Sequence, residues 1–218
     1  MNKQHGCAAA LAFLCLFFAN HDARAQATDA PKVEVGVQFT SLTLADSFNR
    51  TEPGFGGRVT YNLTDNVGLE AQFDFFPDNE PFRGFRSGGR IAQGLFGVKA
   101  GKRFEKFGLF GKVRPGFTSF SAGRQEFIVL NAPPPDPIFG PAIRRETHRE
   151  THFATDIGAV LEFYPTRRIV TRFDAGDTII RYGDTTGTLF TSTGTQPFPI
   201  PGEVRHNFQF SAGIGFRF

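Results

Sequence analysis

The chain of 218 residues has no tryptophan, only three tyrosines and only two cysteines. Both cysteines, Cys7 and Cys15, lie in one apolar run near the N-terminus, so the rest of the chain carries no thiol and no disulfide framework. Beyond that run, no apolar stretch approaches the length of about 18 residues that a membrane-spanning helix needs. There is also no excess of one charge. With 24 bases against 21 acids the net charge is +3, and removing Lys3, Asp22 and Arg24 with the N-terminal segment leaves 22 against 20. Such a near balance gives no argument for a nucleic-acid partner. No repeat of 20 to 50 residues stands out, and the length suits one domain.

The N-terminal segment has the layout of a secretory signal. Lys3 precedes the apolar run Cys7–Ala19, and Asn20, His21 and Asp22 lead to the small-x-small sites Ala23-Arg24-Ala25 and Ala25-Gln26-Ala27. The run is too short to span a bilayer, and cleavage is expected after Ala25, with Ala27 as the alternative. The expected organisation is a signal peptide over 1–25 and a single β-domain over 26–218.

What is abundant is phenylalanine, 28 in all, arranged by alternation. In the closing segment Phe208, Phe210, Ala212, Ile214, Phe216 and Phe218 point one way, while Gln209, Ser211, Gly213, Gly215 and Arg217 point the other. Period-two patterning of this length marks a strand with one apolar face. An aromatic residue at the very end would leave a soluble sheet with an exposed greasy edge, whereas a strand closing a barrel in lipid has no free edge.

The same alternation gives eight segments, at Val33–Leu44, Phe55–Leu63, Val67–Phe76, Ile91–Phe104, Phe107–Phe120, Phe153–Tyr164, Ile169–Tyr182 and His206–Phe218. Short turns at 64–66, 105–106 and 165–168 alternate with long loops at 45–54, 77–90, 121–152 and 183–205. That asymmetry is the layout of outer-membrane barrels. The seventh segment breaks the pattern at Asp177, which falls on the apolar face and is expected near the headgroups or at a bulge.

Alternation alone does not say which face is inside, since a lipocalin-like soluble barrel shows the same pattern. The terminal Phe218, the loop asymmetry and the identity of the polar face favour lipid outside. The polar face carries the acids Glu34, Glu70, Asp74, Asp156, Glu162 and Asp174 and the bases Arg58, Lys99, Arg103, Lys112, Arg114, Arg172 and Arg217. An eight-stranded barrel has an interior just wide enough for side chains. Charges turned into it must pair, because lone buried ions are very costly.

Together, the signal-like N-terminus and the final FQFSAGIGFRF resemble the small outer-membrane β-barrel superfamily of the OmpA transmembrane domain, OmpX/Ail, the opacity proteins and OmpW. The resemblance implies an all-β, eight-stranded antiparallel up-and-down transmembrane β-barrel in the outer membrane. It implies contact with outer-membrane lipid and lipopolysaccharide, and assembly as a monomer. It also implies that the barrel-assembly machinery reads Phe208, Phe210, Ile214, Phe216 and Phe218. The chain departs from the family in lacking tryptophan, so its interfacial aromatic belt must be built largely from phenylalanine. No peptidoglycan-binding domain is expected after the barrel.

Three clusters are candidates for chemistry. The tandem Arg145-Glu-Thr-His148-Arg-Glu-Thr-His152 places His148, Glu150 and His152 on one face of a strand, with Asp156 continuing it; two imidazoles and a carboxylate suit zinc or proton sensing, and paired surface charges are the plainer reading. In the second long loop, Arg83, Arg86 and Arg90 interleave with Phe82 and Phe85, a composition that suits phosphates of lipopolysaccharide or another polyanion. The lipid A deacylases need a histidine and a nearby serine on the outer wall. His206-Asn207-Phe208 lacks that serine, with Ser211 falling on the opposite face, and His152-Phe153-Ala154 fails likewise.

The reading is therefore a non-enzymatic barrel whose lumen charges plug it, with a structural or surface-interaction role through its loops and no cofactor. Its extracellular ligand is not specified by the sequence. Two alternatives stand beside it: an OmpW-like channel for small or hydrophobic solutes, and a lipid A-modifying enzyme.

Overall fold

A computed structural model describes residues 31–46, 49–80, 86–129, 143–191 and 194–218. The expected signal segment lies outside the described residues. The alternating segments form β1 (Val33–Leu44), β2 (Arg50–Asn62), β3 (Val67–Phe76), β4 (Gly88–Arg103), β5 (Phe107–Val129), β6 (Ile143–Phe163), β7 (Ile169–Tyr182), β8 (Thr185–Thr191), β9 (Gly194–Ile200) and β10 (Glu203–Arg217). Eight of them close a barrel in the order β1-β10-β7-β6-β5-β4-β3-β2, with β8 and β9 paired apart as a hairpin. Every neighbouring pair is antiparallel. Closure comes from β1 on β10, where Glu34 faces Arg217 and Val37 faces Ile214.

The apolar face is the outer one. Val37, Phe39, Phe55, Phe73, Phe96, Phe117, Phe153, Phe208 and Phe218 are all exposed, while the charges of opposite parity, among them Glu34, Arg58, Glu70, Lys99, Arg114 and Asp156, are buried. From Phe208 to Phe218 the wall of β10 runs ten residues. At about 3.3 Å per residue and a tilt of about 40°, that is a band roughly 25 Å tall, the height of an outer-membrane hydrocarbon layer. Water would leave this phenylalanine-rich wall exposed; lipid covers it.

All four expected long loops hold strand residues: β4 takes the last three of 77–90, and the other three need larger corrections. Residues 121–152 are largely strand: β5 and β6 stay paired to Val129↔Ile143, far beyond the last β4 contact at Gly88↔Ala122 and the last β7 contact at Phe153↔Arg181. The run Arg144-Arg-Glu-Thr-His-Arg-Glu has no apolar face, so hydrophobic alternation could not mark it. Above the lipid both faces of a ribbon meet water, and the pattern that betrays a strand is gone. Residues 183–205 hold the β8–β9 hairpin. The start of β2 at Arg50 includes Pro53, which reads as a loop residue; above Phe55, however, β2 pairs with β1 alone, and an edge strand tolerates proline.

Irregularities cluster at the outer rim. The β4–β5 register shifts between Gly88 and Ile91, where Gly89 takes a φ of 73°, and β5 shifts against β6 between Phe120 and Arg124. Bulges of this kind bend and twist a barrel rim, and a left-handed backbone favours glycine. In contrast, β7 runs in continuous register with both neighbours past Asp177, so no bulge explains that residue.

Candidate functional site: a buried charge lattice

Inward positions change character along the barrel axis. Toward the short turns they are charged; at mid-height they are amides and hydroxyls; toward the outer rim they become largely apolar, with the Arg50–Glu52 ion pair and buried Arg86 and Ser87 beside them. Twelve of the thirteen charges assigned to the polar face are no more than 6% exposed. The thirteenth, Arg103, is nearly buried at the lower rim, its side chain 10% exposed.

All seven bases are ion-paired. Arg172 on β7 is the hub: its Nη2 donates to Glu70 Oε2 at 2.9 Å and its Nη1 to Glu70 Oε1, while Nε and Nη2 donate to Asp174 at 2.8 and 2.7 Å. Because β7 and β3 lie on opposite sides of the ring, the Arg172–Glu70 fork ties the two walls together across the lumen. Arg114 on β5 donates through Nε to Asp156 at 2.9 Å, through Nη1 to Gln72, and lies 3.5 Å from Glu70. Lys112 bridges Asp156 and Asp174 at 2.9 and 3.5 Å. Lys99 holds Glu162 closely and stands 3.7 Å from Glu34. Arg58 reaches Asp174 at 3.5 Å, and both Arg103 and Arg217 reach Glu34, at 3.3 and 3.2 Å. Charge-assisted bonds of this kind offset the desolvation that burial imposes.

Arg114 and Glu162 do not pair directly: Glu162 is held by Lys99, Arg172 and Arg103, and it is linked to Arg114 through Arg172 and Glu70. Asp74 also departs from a simple ion-pair reading. Among the described residues no cation lies within ion-pair reach of it. Its carboxylate accepts instead from the amides of Gln38 at 2.7 Å, Gln72 at 2.6 Å and Gln209 at 3.1 Å. Those glutamines, with Thr40, Gln93, Thr178 and Ser211, form a hydrogen-bonded middle layer that the sequence reading did not single out. Their shared parity with the charges was the available signal. Room for the lattice comes from small neighbours: a Cβ on Gly56 would stand 2.0 Å from Asp74 Oδ1.

Tyr164, just past the end of β6, closes the lower end. Its hydroxyl donates to Glu162 Oε2 at 2.8 Å, and the Arg217 and Arg103 guanidiniums lie over its ring at 4.6 and 5.1 Å. Burial first, and the adjacent Glu162 carboxylate second, hold that hydroxyl well above the ordinary tyrosine pKa, so it stays a donor. At the upper end Leu42, Leu44, Phe76, Ile91, Phe120, Ala154, Ile180 and Tyr182 make an apolar layer inside the barrel. The inner face is therefore not polar throughout, contrary to what the alternation of charges along the strands alone implies.

The other candidates fall as follows. Phe208, Phe210, Ile214, Phe216 and Phe218 all lie on the outer wall, 39–69% exposed. Asp177 faces outward at the level of Phe208 and Ile157, its Oδ2 2.5 Å from His206 Nδ1. Ser211 is in the lumen, bonded to Thr40, and so on the far side of the wall from His206. His148 and His152 share a face of β6 but turn to different carboxylates, Glu126 at 3.4 Å and Glu150 at 3.6 Å. Among the described residues no three histidine, cysteine or acidic side chains gather in metal-binding geometry. Arg86 is buried, donating to the carbonyls of Ile200 at 3.0 Å and Pro201 at 3.1 Å; Arg90 is exposed, and Arg83 lies outside the described residues.

A closed eight-stranded barrel with an apolar outer wall, a charged interior and short turns at one end defines the class of small outer-membrane barrels. Residues 8–218 match the family model for the outer membrane protein beta-barrel domain, and the chain belongs to that family. Among solved structures it is similar to OprG from Pseudomonas aeruginosa, with 10% identity, 88% of this chain and 98% of that chain covered, and a TM-score of 0.52. It is also similar to Ail, the attachment invasion locus protein of Yersinia pestis, with 14% identity, coverage of 85% and 96%, and a TM-score of 0.44. Neisserial surface protein A matches with 10% identity, the same coverage and a TM-score of 0.43. A comparison with curated protein sequences gave no match.

Proposed function

We propose that this protein is a plugged, non-enzymatic outer-membrane barrel that displays a recognition surface outside the cell. The observation that carries the plug is the Arg172–Glu70 fork, which crosses the lumen between opposite walls and is fully buried, beneath an upper layer of apolar side chains. Ions meet fixed, ion-paired charge below and a largely apolar layer above, and neither layer offers a hydrated path. The display surface is the β5–β6 ribbon, which extends beyond both neighbouring strands and so offers two unpaired backbone edges with charged side chains along them. Such edges suit a partner that adds a strand. On this reading Phe208, Phe210, Ile214, Phe216 and Phe218 serve as the signal for the barrel-assembly machinery, and the protein works as a monomer. Planar-bilayer recording of the purified protein tests the plug. The expected result is electrical silence, and discrete single-channel steps in the unmodified protein would establish the channel reading in its place.

A further inference from the structure

Two of the turns at the short-turn end share one construction. Thr64 Oγ1 accepts from the amides of Asn66 at 3.2 Å and Val67 at 3.0 Å, and Thr166 Oγ1 accepts from those of Arg168 at 3.3 Å and Ile169 at 3.1 Å. The hydroxyl sets the turn in both cases. The two residues after each threonine differ: Asp65 and Asn66 in one turn, Arg167 and Arg168 in the other. The turn therefore does not require the arginines. Neither side chain makes a hydrogen bond, ion pair or ring contact with any described residue, although all seven luminal bases are paired. Both are exposed.

These two arginines line a cleft of about 440 Å³ together with Pro31, Phe216, Arg217 and Phe218. Arg217 is occupied, turned inward onto Glu34 and Tyr164. The free positive charge of the cleft is thus Arg167 and Arg168. Its other wall is apolar and faces lipid, with Phe216 and Phe218 43% and 69% exposed. Short turns of outer-membrane barrels face the periplasm, so the cleft opens at the headgroup level of the periplasmic leaflet. A molecule that satisfies both walls has an anionic oxygen group at one end and hydrocarbon at the other. Guanidinium forks fit phosphate oxygens, and the volume falls within the roughly 300–1,000 Å³ of ligand clefts.

We propose that this cleft holds one anionic phospholipid of the periplasmic leaflet, its phosphate on Arg167 and Arg168 and its acyl chains along Phe216 and Phe218. The test is lipid retention by the full barrel, read by native mass spectrometry after equilibration in detergent with equal amounts of phosphatidylglycerol and phosphatidylethanolamine. The expected result is a single retained phosphatidylglycerol, preferred about tenfold, the equivalent of one net charge-assisted contact. Arg167→Gln/Arg168→Gln, which keeps Thr166 and the turn, should erase the preference with unchanged heat-modifiable gel mobility. Lys102→Gln/Lys106→Gln, equal in charge lost at the same end of the barrel, should preserve it. Equal retention of the two lipids by the unmodified protein overturns the proposal, as does a preference that survives in the arginine variant or is lost equally in the lysine variant. Glycerol phosphate added at the lipid concentration should not compete; if it displaces the lipid, the cleft is a site for a soluble phosphate and the proposal also fails.

Discussion

Arg172→Met is the substitution that measures how much the lattice holds. Methionine keeps much of the length and apolar volume but removes both forks. Glu70 would retain Arg114 at 3.5 Å and Lys99 at 3.9 Å; Asp174 would retain Arg58 and Lys112, each at 3.5 Å. Apart from the Thr60 hydroxyl, which donates to Glu70 Oε1 at 3.2 Å, both carboxylates thus exchange close hydrogen-bonded partners for distant ones while remaining buried at 1% and 2% exposure. Removing one member of a buried pair costs about 3–5 kcal/mol, mostly as the desolvation of the partner left behind. The expected loss in unfolding free energy is of that size. Arg172→Lys, which keeps the charge and loses the planar fork, should cost about half as much. Adding Glu70→Gln to Arg172→Met should recover about 1–2 kcal/mol relative to the sum of the single changes, because the amide no longer needs a cation. With no tryptophan in the chain, urea unfolding in lipid vesicles is best followed by far-UV circular dichroism together with gel mobility. Lys102→Met, on an exposed site, is the control and should stay within about 0.5 kcal/mol. An Arg172→Met barrel within about 1 kcal/mol of the parent would refute the reasoning, since it would mean that water or rearranged neighbours replace the fork without cost.

The outer wall is probed by Ile214→Arg. Ile214 is 54% exposed and pairs between Val37 and Thr171, deep in the apolar band, so a charge there should cost about 2–4 kcal/mol and block insertion. Normal heat-modifiable mobility of that variant in outer membranes would contradict the orientation of the wall. Recognition is probed by deleting Arg124–His148, which cuts the β5–β6 ribbon back to the last β4 contact of β5 and to within a few residues of the last β7 contact of β6. The barrel should fold unchanged and whole-cell binding to extracellular ligands should be lost; binding that persists would move recognition to the other outer loops.

Where one side of a strand meets hydrocarbon, the sequence is easy to read, and where both sides meet the same medium it is not. The segments Val33–Leu44, Val67–Phe76 and Ile169–Tyr182 appear in the structure with the ends that alternation predicts, because over most of its length each turns an apolar face outward and polar side chains inward. Beyond the band the contrast disappears. The upper half of β6 is almost wholly polar on both faces, and the apolar residues ending β5, Phe127, Ile128 and Val129, are consecutive in place of alternating, so the same patterning rule that found the lower halves reports a loop. The lumen shows the converse failure: near the outer rim Leu42, Leu44, Phe76, Ile91, Phe120 and Ile180 point inward, and a face that turns from polar to apolar along its length defeats a single inside–outside assignment.

The membership of the lattice was legible but its pairing was not. Parity places Glu70 and Arg172 in the lumen, yet 102 positions separate them and their contact depends on which strands stand opposite when the barrel closes. Alternation speaks only of a residue and its own strand. Asp177 shows the same limit from outside. Its parity correctly turned it outward, and the sequence offered headgroups or a bulge as its relief. What stabilises it is His206, 29 positions away and brought alongside by the β7–β10 ladder. A polar residue on the wrong face of a barrel strand is therefore best explained by asking which neighbouring strand can supply its partner, before a break in register is invoked.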